Sequence, residues 1–406
     1  MNVLFLTTGR MDDVSEHSLY PDLLREFKKH GHMVYAVSTY ERRTQKKTEY
    51  KEEIGIHCLR VKVGNITKCG IIEKGISTLL IEKQYKRSIK KYFSQIKFDL
   101  ILYTTPPITL VNVIKYIKKR DNAKTYLMLK DIFPQNAVDL GMMSKTGIKG
   151  LIYFYFRSKE KKLYQVSDRI GCMSPANVEY VKKHNPEVDE NKLKLCPNCI
   201  EIQDITLTQK EKIQLRDKYG IPQDKTVFVY GGNLGKPQGI DFLIECLRSQ
   251  KDNLDAYFLI AGNGTEFKKL ESFFNCENPT NMKLMERLPK EEYDKMIAAC
   301  DVGLIFLDYR FTIPNFPSRL LSYMQAGLPV LACTDRNTDI RQFIVEGEFG
   351  WWCESKGIAE FSRIINHTTP KNLKEMKGNA KELLKNCTPN IAYENIIGQI
   401  NDAYIT

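Results

Sequence analysis

The chain reads as an α/β protein of two domains, each a parallel sheet with helical crossovers. Three observations carry this reading: a length of 406 residues, an alternation of short apolar runs with amphipathic stretches that occurs twice, and a polar, charged segment between the two occurrences. Single cores stop growing near about 250 to 300 residues and split, so two domains are expected.

In the first half, Val3–Thr7 predicts a strand that leads through a polar loop to a helix near Leu19–His30. Gly31 stops that helix before a second strand at Met33–Ser38, completing a βαβ unit. Further strands are expected at Leu100–Tyr103, Thr125–Leu129 and Arg169–Met173, with helices at Ile108–Lys119 and Gly147–Val166 between them. Residues 203–223 are polar and charge-rich, with a short helix over Lys210–Tyr219, and the domain junction is placed there. The first domain is thus 1–203 and the second 204–406, the C-terminal helix being free to cross back to the first. The second domain starts afresh with strands at Thr226–Tyr230, Ala256–Ala261, Met282–Leu284, Val302–Phe306 and Pro329–Ala332. Helical patterns such as Gly239–Ser249 and Pro317–Ala326 space them.

With 42% hydrophobic and 27% charged residues the composition is that of a globular protein, which excludes collagenous, disordered and disulfide-dense classes. The opening Met1–Leu6 has no basic segment before it and no small-residue cleavage site after it, so a buried strand is expected there rather than a signal peptide. The richest apolar run, Gly150–Phe156, ends at Arg157, far short of the 18 or so residues of a membrane span. Eleven cysteines without an export signal read as reduced thiols of a cytoplasmic protein, mostly small core residues. Cys196-Pro-Asn-Cys199 has the spacing of half a zinc ribbon, but no second pair accompanies it, and no metal site is expected.

The formal charge of +12 is unevenly spread: residues 1–203 carry 36 Lys and Arg against 22 Asp and Glu, residues 204–406 carry 25 against 27. The first half is therefore expected to face something anionic, a membrane surface or a phosphorylated acceptor, unless it is simply a solvated basic face. Nucleic acid is not expected, because the basic stretches lack aromatic sheet motifs and recognition-helix signatures.

Ligands of open parallel sheets bind beyond the carboxyl ends of the strands. The segment Gly231-Gly-Asn-Leu-Gly235-Lys-Pro-Gln-Gly239 follows a strand and precedes a helix, so its backbone N–H groups can approach a diphosphate, with Lys236 adding a cation. It fits neither the Walker A spacing nor G-x-G-x-x-G, and an ordinary tight turn uses glycines in the same way. A second glycine turn, Ala261-Gly-Asn-Gly264, again follows a strand. A third segment, Asn315–Val330, joins a helix to a glycine-proline turn and strand.

In their order and spacing these features resemble the C-terminal domain of the retaining GT-B glycosyltransferases of capsule and lipopolysaccharide synthesis. The shared features are Gly231–Gly239, Leu259-Ile-Ala-Gly-Asn-Gly264, Leu288-Pro, Cys300-Asp301-Val302, Pro317-Ser-Arg with Tyr323–Val330, and Glu346-Gly-Glu-Phe-Gly350. The first half is similar through Lys29–Val34, Ser174 and Pro197-Asn198. Its Lys130-Asp-Ile-Phe-Pro-Gln segment is similar to one in fucosamine-transferase-like members. The resemblance implies two Rossmann-like domains facing across a cleft, an N-terminal one for the acceptor and a C-terminal one for a nucleotide-sugar donor, with UDP the expected nucleotide and no metal or other cofactor.

Carried over residue by residue, it implies a donor site of Gly232, Asn233, Gly235, Gln238, Gly262, Arg287, Pro317, Ser318, Arg319 and Ser322. Lys236, Lys130 and Asp131 would stand at the chemistry. Lys236 would neutralise the departing diphosphate, and Asp131 would act as a base or orienting group unless it merely caps a helix. Family members usually have an arginine near position 233, a lysine just before the glycine at 239, and two glutamates where this chain has Pro314 and Ser322. Those departures keep open a binding or regulatory protein that has lost catalysis. A nucleotide-sugar epimerase would need acidic and histidine groups that cannot be placed. The acceptor is expected to be lipid-linked or a saccharide. Lys83–Lys97 is basic with apolar residues at near-helical spacing, and the preceding Ile71–Ile81 is apolar enough to insert shallowly. Together they admit peripheral attachment to the inner face of the plasma membrane, or an ordinary surface helix.

Overall fold

The computed structural model describes residues 1–67 and 69–402, leaving aside the side chains of Ile71, Ile72, Ile148 and Lys149. The chain divides into two units, Met1–Glu201 joined by the chain from Thr388 onward, and Ile202–Cys387.

The first unit holds β1 (Asn2–Leu6), β2 (Met33–Glu41), β3 (Glu49–Glu53), β4 (Ile56–Val63), β5 (Leu100–Thr104), β6 (Lys124–Leu129), β7 (Arg169–Cys172) and β8 (Leu193–Leu195). They form one sheet in the order β3-β4-β2-β1-β5-β6-β7-β8, parallel except for the β3–β4 hairpin. Val3, Leu4, Phe5 and Leu6 are all fully buried, because helices cover both faces of such a sheet and a central strand must be apolar on both sides. The hairpin has no counterpart in the periodicity. Glu49-Tyr-Lys-Glu-Glu is a charge-rich edge strand, the composition that protects an open sheet edge. The segments Ile71–Ile81 and Lys83–Lys97 belong largely to a single helix, Ile71–Tyr92. The last helix, Pro389–Asn401, packs within this unit: Tyr393 lies edge-on to Phe27 at 4.9 Å and stacks on His30 at 4.0 Å. Gln399 Oε1 accepts from Tyr126 Oη at 2.7 Å.

The second unit holds β9 (Thr226–Asn233), β10 (Ala256–Asn263), β11 (Met282–Met285), β12 (Val302–Phe306), β13 (Val330–Thr334) and β14 (Gly350–Glu354). All are parallel, in the order β11-β10-β9-β12-β13-β14. Phe228, Tyr230, Phe258, Ile260, Leu304 and Phe306 of the central strands meet Leu243 and Leu247 of the helix Ile240–Ser249 in its core. Both units are Rossmann-like α/β sheets. Among the described residues no helix is long and apolar enough to cross a membrane.

Candidate functional site

In the second unit the strand order reverses between β9 and β12, so the loops leaving these two strands border the crevice where open parallel sheets take ligands. Asp308 N–H donates to Pro237 O at 3.0 Å, tying one loop to the other. Beneath them stands Tyr323, fully buried on the helix Arg319–Gln325. Its hydroxyl accepts Gly231 N–H at 3.1 Å and lies 3.2 Å from Val229 O and 3.1 Å from Leu304 O, so one phenol pins β9 to β12.

The glycines answer to close packing. A Cβ at Gly231 would fall 1.8 Å from the Tyr293 hydroxyl, and one at Gly262 would fall 2.0 Å from Gly232 O on the neighbouring strand. Gly232 has φ +113°, which side chains rarely adopt. The loop then makes one 3₁₀ turn over Lys236–Gln238 and closes at Gly239, with Lys236 exposed on the turn.

At positions 233 and 238 two neutral amides brace each other. Asn233 Nδ2 donates to Gln238 Oε1 at 2.9 Å, and the same oxygen accepts Gly235 N–H at 3.1 Å. The cation inside the loop comes from Arg319. Its guanidinium carbon lies 4.4 Å from the centroid of the Tyr230 ring, and Nη2 lies 3.5 Å from Asn233 O. Nη1 is buried and meets no acceptor among the described residues. Leaving a buried donor unpaired costs about 1–3 kcal/mol. Gly232, Asn233, Gly235, Gln238, Gly262 and Arg319 are thus brought together around one turn. Arg287 is exposed on the loop after β11, Pro317 and Ser318 lead into the helix that carries Arg319, and Ser322 is half-buried one turn into it.

Sequence reasoning passed over the tyrosines under the loop and Asp335. Tyr323 lies inside the segment that ends in the glycine-proline turn, but nothing in one dimension marks a hydroxyl that bridges two strands. Asp335 follows β13, and its signal was available: an aspartate ending an apolar run and bonding the backbone two residues on. Its Oδ1 accepts Asn337 N–H at 2.8 Å and Thr338 N–H at 3.2 Å, while Oδ2 is buried and meets no donor among the described residues. Burial pushes its carboxyl up to about 6.

In the first unit, Lys130 and Asp131 follow β6 at its carboxyl end. Thr105 Oγ1 accepts Lys130 N–H at 3.0 Å and Asp131 N–H at 3.1 Å and donates to Asp131 O at 2.9 Å, holding the turn shut. Lys130 Nζ donates to Cys196 O at 3.1 Å. Asp131 Oδ2 accepts from Asn136 Nδ2 at 2.7 Å. Asp131 is not the cap of the helix Gln135–Asp139, whose N-cap is Pro134. Burial pushes the Asp131 carboxyl up to about 6; the Ile132 amide and Asn136 oppose that shift and the charge of Glu160 adds to it. A carboxyl raised above its unfolded value near about 3.9 favours the protonated folded state. The stability this contributes is full below about pH 4 and lost as pH rises through about 6. Asp131→Asn is therefore expected to flatten the fall in melting temperature between about pH 4 and 7 and to raise the midpoint at pH 8. Thermal melts across that range check it, and a profile parallel to the parent's would contradict the burial of this charge.

Among the described residues one trio could offer metal ligands: His17, Asp22 and Glu201, with ligand atoms within 4.8 Å of one another. Arg25 Nη2 already donates to Asp22 Oδ1 at 2.6 Å and Glu201 Oε2 at 2.9 Å, so a guanidinium fills the cation position. Cys196 and Cys199 are buried in the core of the first unit.

Residues 211–383, within the second unit, match the family model described as glycosyl transferases group 1. Over 289 residues the chain is 25% identical to a protein named probable glycosyltransferase WbjE from Pseudomonas aeruginosa, covering 71% of this chain and 70% of that one. Its fold is similar to that of Anabaena Alr3699/HepE solved with UDP and glucose, with a TM-score of 0.73 at 14% identity over 99% of this chain and 100% of the other. It is also similar to WaaG, a glycosyltransferase involved in lipopolysaccharide biosynthesis, with a TM-score of 0.67 at 14% identity over 100% and 99% of the two chains. The second unit is therefore a group 1 glycosyltransferase domain, and the chain is a glycosyltransferase with the GT-B fold.

Proposed function

We propose that this glycosyltransferase takes a sugar from a nucleoside-diphosphate donor, UDP being the nucleotide, and passes it with retention and without a metal to a lipid-linked or saccharide acceptor of surface-polysaccharide synthesis. The observation that carries the donor reading is the Arg319 guanidinium, stacked on Tyr230 with Nη1 unpaired against the glycine loop. A diphosphate oxygen would supply the missing acceptor. Lys236 on the exposed turn would add the second cation, so that the charge of the leaving group is met by preorganised donors, usually the largest single contribution to catalysis. The HepE structure with UDP and glucose and the role of WaaG in lipopolysaccharide synthesis support the donor and acceptor classes. Asp131, with its carboxyl near 6, would orient the transferred sugar or the incoming hydroxyl, with Lys130 beside it. The departing phosphate would take the proton, so no dedicated carboxylate pair is required.

The test is a thermal-shift panel of UDP, GDP, ADP and UDP-sugars with EDTA present. Saturation to about 100 times Kd stabilises a binding-competent state by about 2.7 kcal/mol. A shift with one nucleotide, indifferent to EDTA and weakened by Lys236→Ala, is the expected result. No shift with any nucleotide would overturn the donor site.

The brace between Asn233 and Gln238, at positions where relatives place cations, and Ser322 in place of a glutamate favour a second reading, a binding or regulatory protein with impaired catalysis. Nucleotide-sugar binding with no release of free nucleotide, even with lipid-linked acceptors supplied, would select it.

A further inference from the structure

We infer that the Tyr293 hydroxyl is a second ligand-binding group of the glycine turn, donating its proton to the diphosphate oxygens that Arg319 also holds. The inference rests on the donor reading above and adds to that site a residue from a helix outside the loop.

Tyr293 stands on the helix Lys290–Ala298, which follows β11. Its side chain is half-buried, but its hydroxyl is enclosed and meets no hydrogen-bond partner among the described residues. The Tyr323 phenol faces it. That oxygen already accepts Gly231 N–H at 3.1 Å and stands 3.2 Å from Val229 O and 3.1 Å from Leu304 O, so the Tyr323 proton is committed to the strands. Burial pushes the Tyr293 phenol well above its ordinary pKa, which keeps the proton on the oxygen and the hydroxyl a donor.

The position of this hydroxyl is fixed by the turn itself. A Cβ at Gly231 would fall 1.8 Å from Tyr293 Oη, and one at Gly232 would fall 3.7 Å from Arg319 Nη2 and 3.8 Å from the guanidinium carbon. The phenol and the guanidinium therefore end beside consecutive residues of one turn, neither of which has a side chain of its own. Tyr293 Oη and Arg319 Nη1 are both enclosed and both lack an acceptor among the described residues. Folded proteins pair the great majority of their buried polar atoms, so two orphans at one turn call for a common cause, and a single anion bordering both supplies it. No carboxylate pairs with Arg319 among the described residues; the groups acting on its charge are the phenols of Tyr230, Tyr323 and Tyr293. Asn233 and Gln238 meanwhile spend their amides on each other. A phenol held in place before the ligand arrives adds a hydrogen bond at no cost in reorganisation.

The test measures Kd for UDP, and for uridine as the probe without phosphate, on the full chain, on Tyr293→Phe, and on Arg319→Met with and without Tyr293→Phe. Phenylalanine keeps the ring and removes only the hydroxyl. Kd for UDP should rise roughly three- to tenfold, and by a similar factor in the Arg319→Met background, while Kd for uridine and the melting temperature of the empty protein stay at the parent's values. A UDP affinity unchanged by Tyr293→Phe, or reduced only where Arg319 is present, would overturn the inference and leave the donor reading standing, since the hydroxyl would then pack or act through the guanidinium. An equal loss for uridine would place Tyr293 away from the phosphates and overturn it too. So would a variant melting several degrees below the parent, because the hydroxyl would then serve a partner within the protein. Absence of UDP binding by the parent would remove the donor reading and this inference together.

Discussion

Arg319→Met is expected to remove most of the stabilisation that a nucleoside diphosphate confers while leaving the empty protein as stable as the parent, or slightly more so. The methionine can keep the apolar contact with Tyr230 that the guanidinium now makes at 4.4 Å, and it removes the buried Nη1 that meets no acceptor. The empty protein thus sheds an unsatisfied donor, whereas the complex loses a charge-assisted hydrogen bond of about 1.5–3 kcal/mol. That is roughly a ten- to hundredfold rise in Kd. Transfer should fall further, by about two to three orders of magnitude, because the charge on the leaving group is fully developed only in the transition state. Paired melts with and without nucleotide, together with kcat/KM, measure both halves. If the variant melts well below the parent yet keeps its nucleotide shift, Arg319 is a structural strut and the donor reading loses its main support.

The second large effect is expected at Gly262. Gly262 and Gly232 are register partners on β10 and β9, and a Cβ at 262 would stand 2.0 Å from Gly232 O. The obstacle is backbone, which cannot rotate aside as a side chain can, so Gly262→Ala must push these neighbouring strands apart under the loop. The cost should lie at or above the upper end of overpacking, about 3 kcal/mol, lowering the melting temperature on the order of 10 °C. Gly235→Ala makes the control. Its Cβ would meet Asn233 Nδ2 at 3.0 Å and Gln238 Oε1 at 3.3 Å, both ends of flexible side chains. It should melt close to the parent while loosening the amide brace and weakening nucleotide binding. Equal melting temperatures for the two variants would refute the packing account of Gly262.

Much of the fold was legible because buried parallel strands leave a one-dimensional record. Val3–Leu6 and Val227–Tyr230 are apolar at every position, Gly31 follows the helix after the first, and Gly239 opens the helix after the second, so periodicity and punctuation suffice to place them. The β3–β4 hairpin escaped because Glu49–Glu53 is an edge strand whose polar side chains carry no burial signal. By contrast the glycine loop, its place between a strand and a helix, and the absence of cations at 233 and 238 were all visible in sequence.

By itself, then, the sequence determined that there are two largely parallel sheets and which loop closes on its own glycines, since each of these rests on the burial and backbone geometry of neighbouring residues. Only the tertiary structure decided that Asn233 and Gln238 neutralise each other's polarity, that the loop's cation arrives from Arg319, and that Pro389–Asn401 packs on the first unit. The brace is set by the 3₁₀ turn that folds Gln238 back over Asn233, whereas the Arg319 contact and the docking of Pro389–Asn401 join residues far apart in the chain, which only the folded sheet brings together.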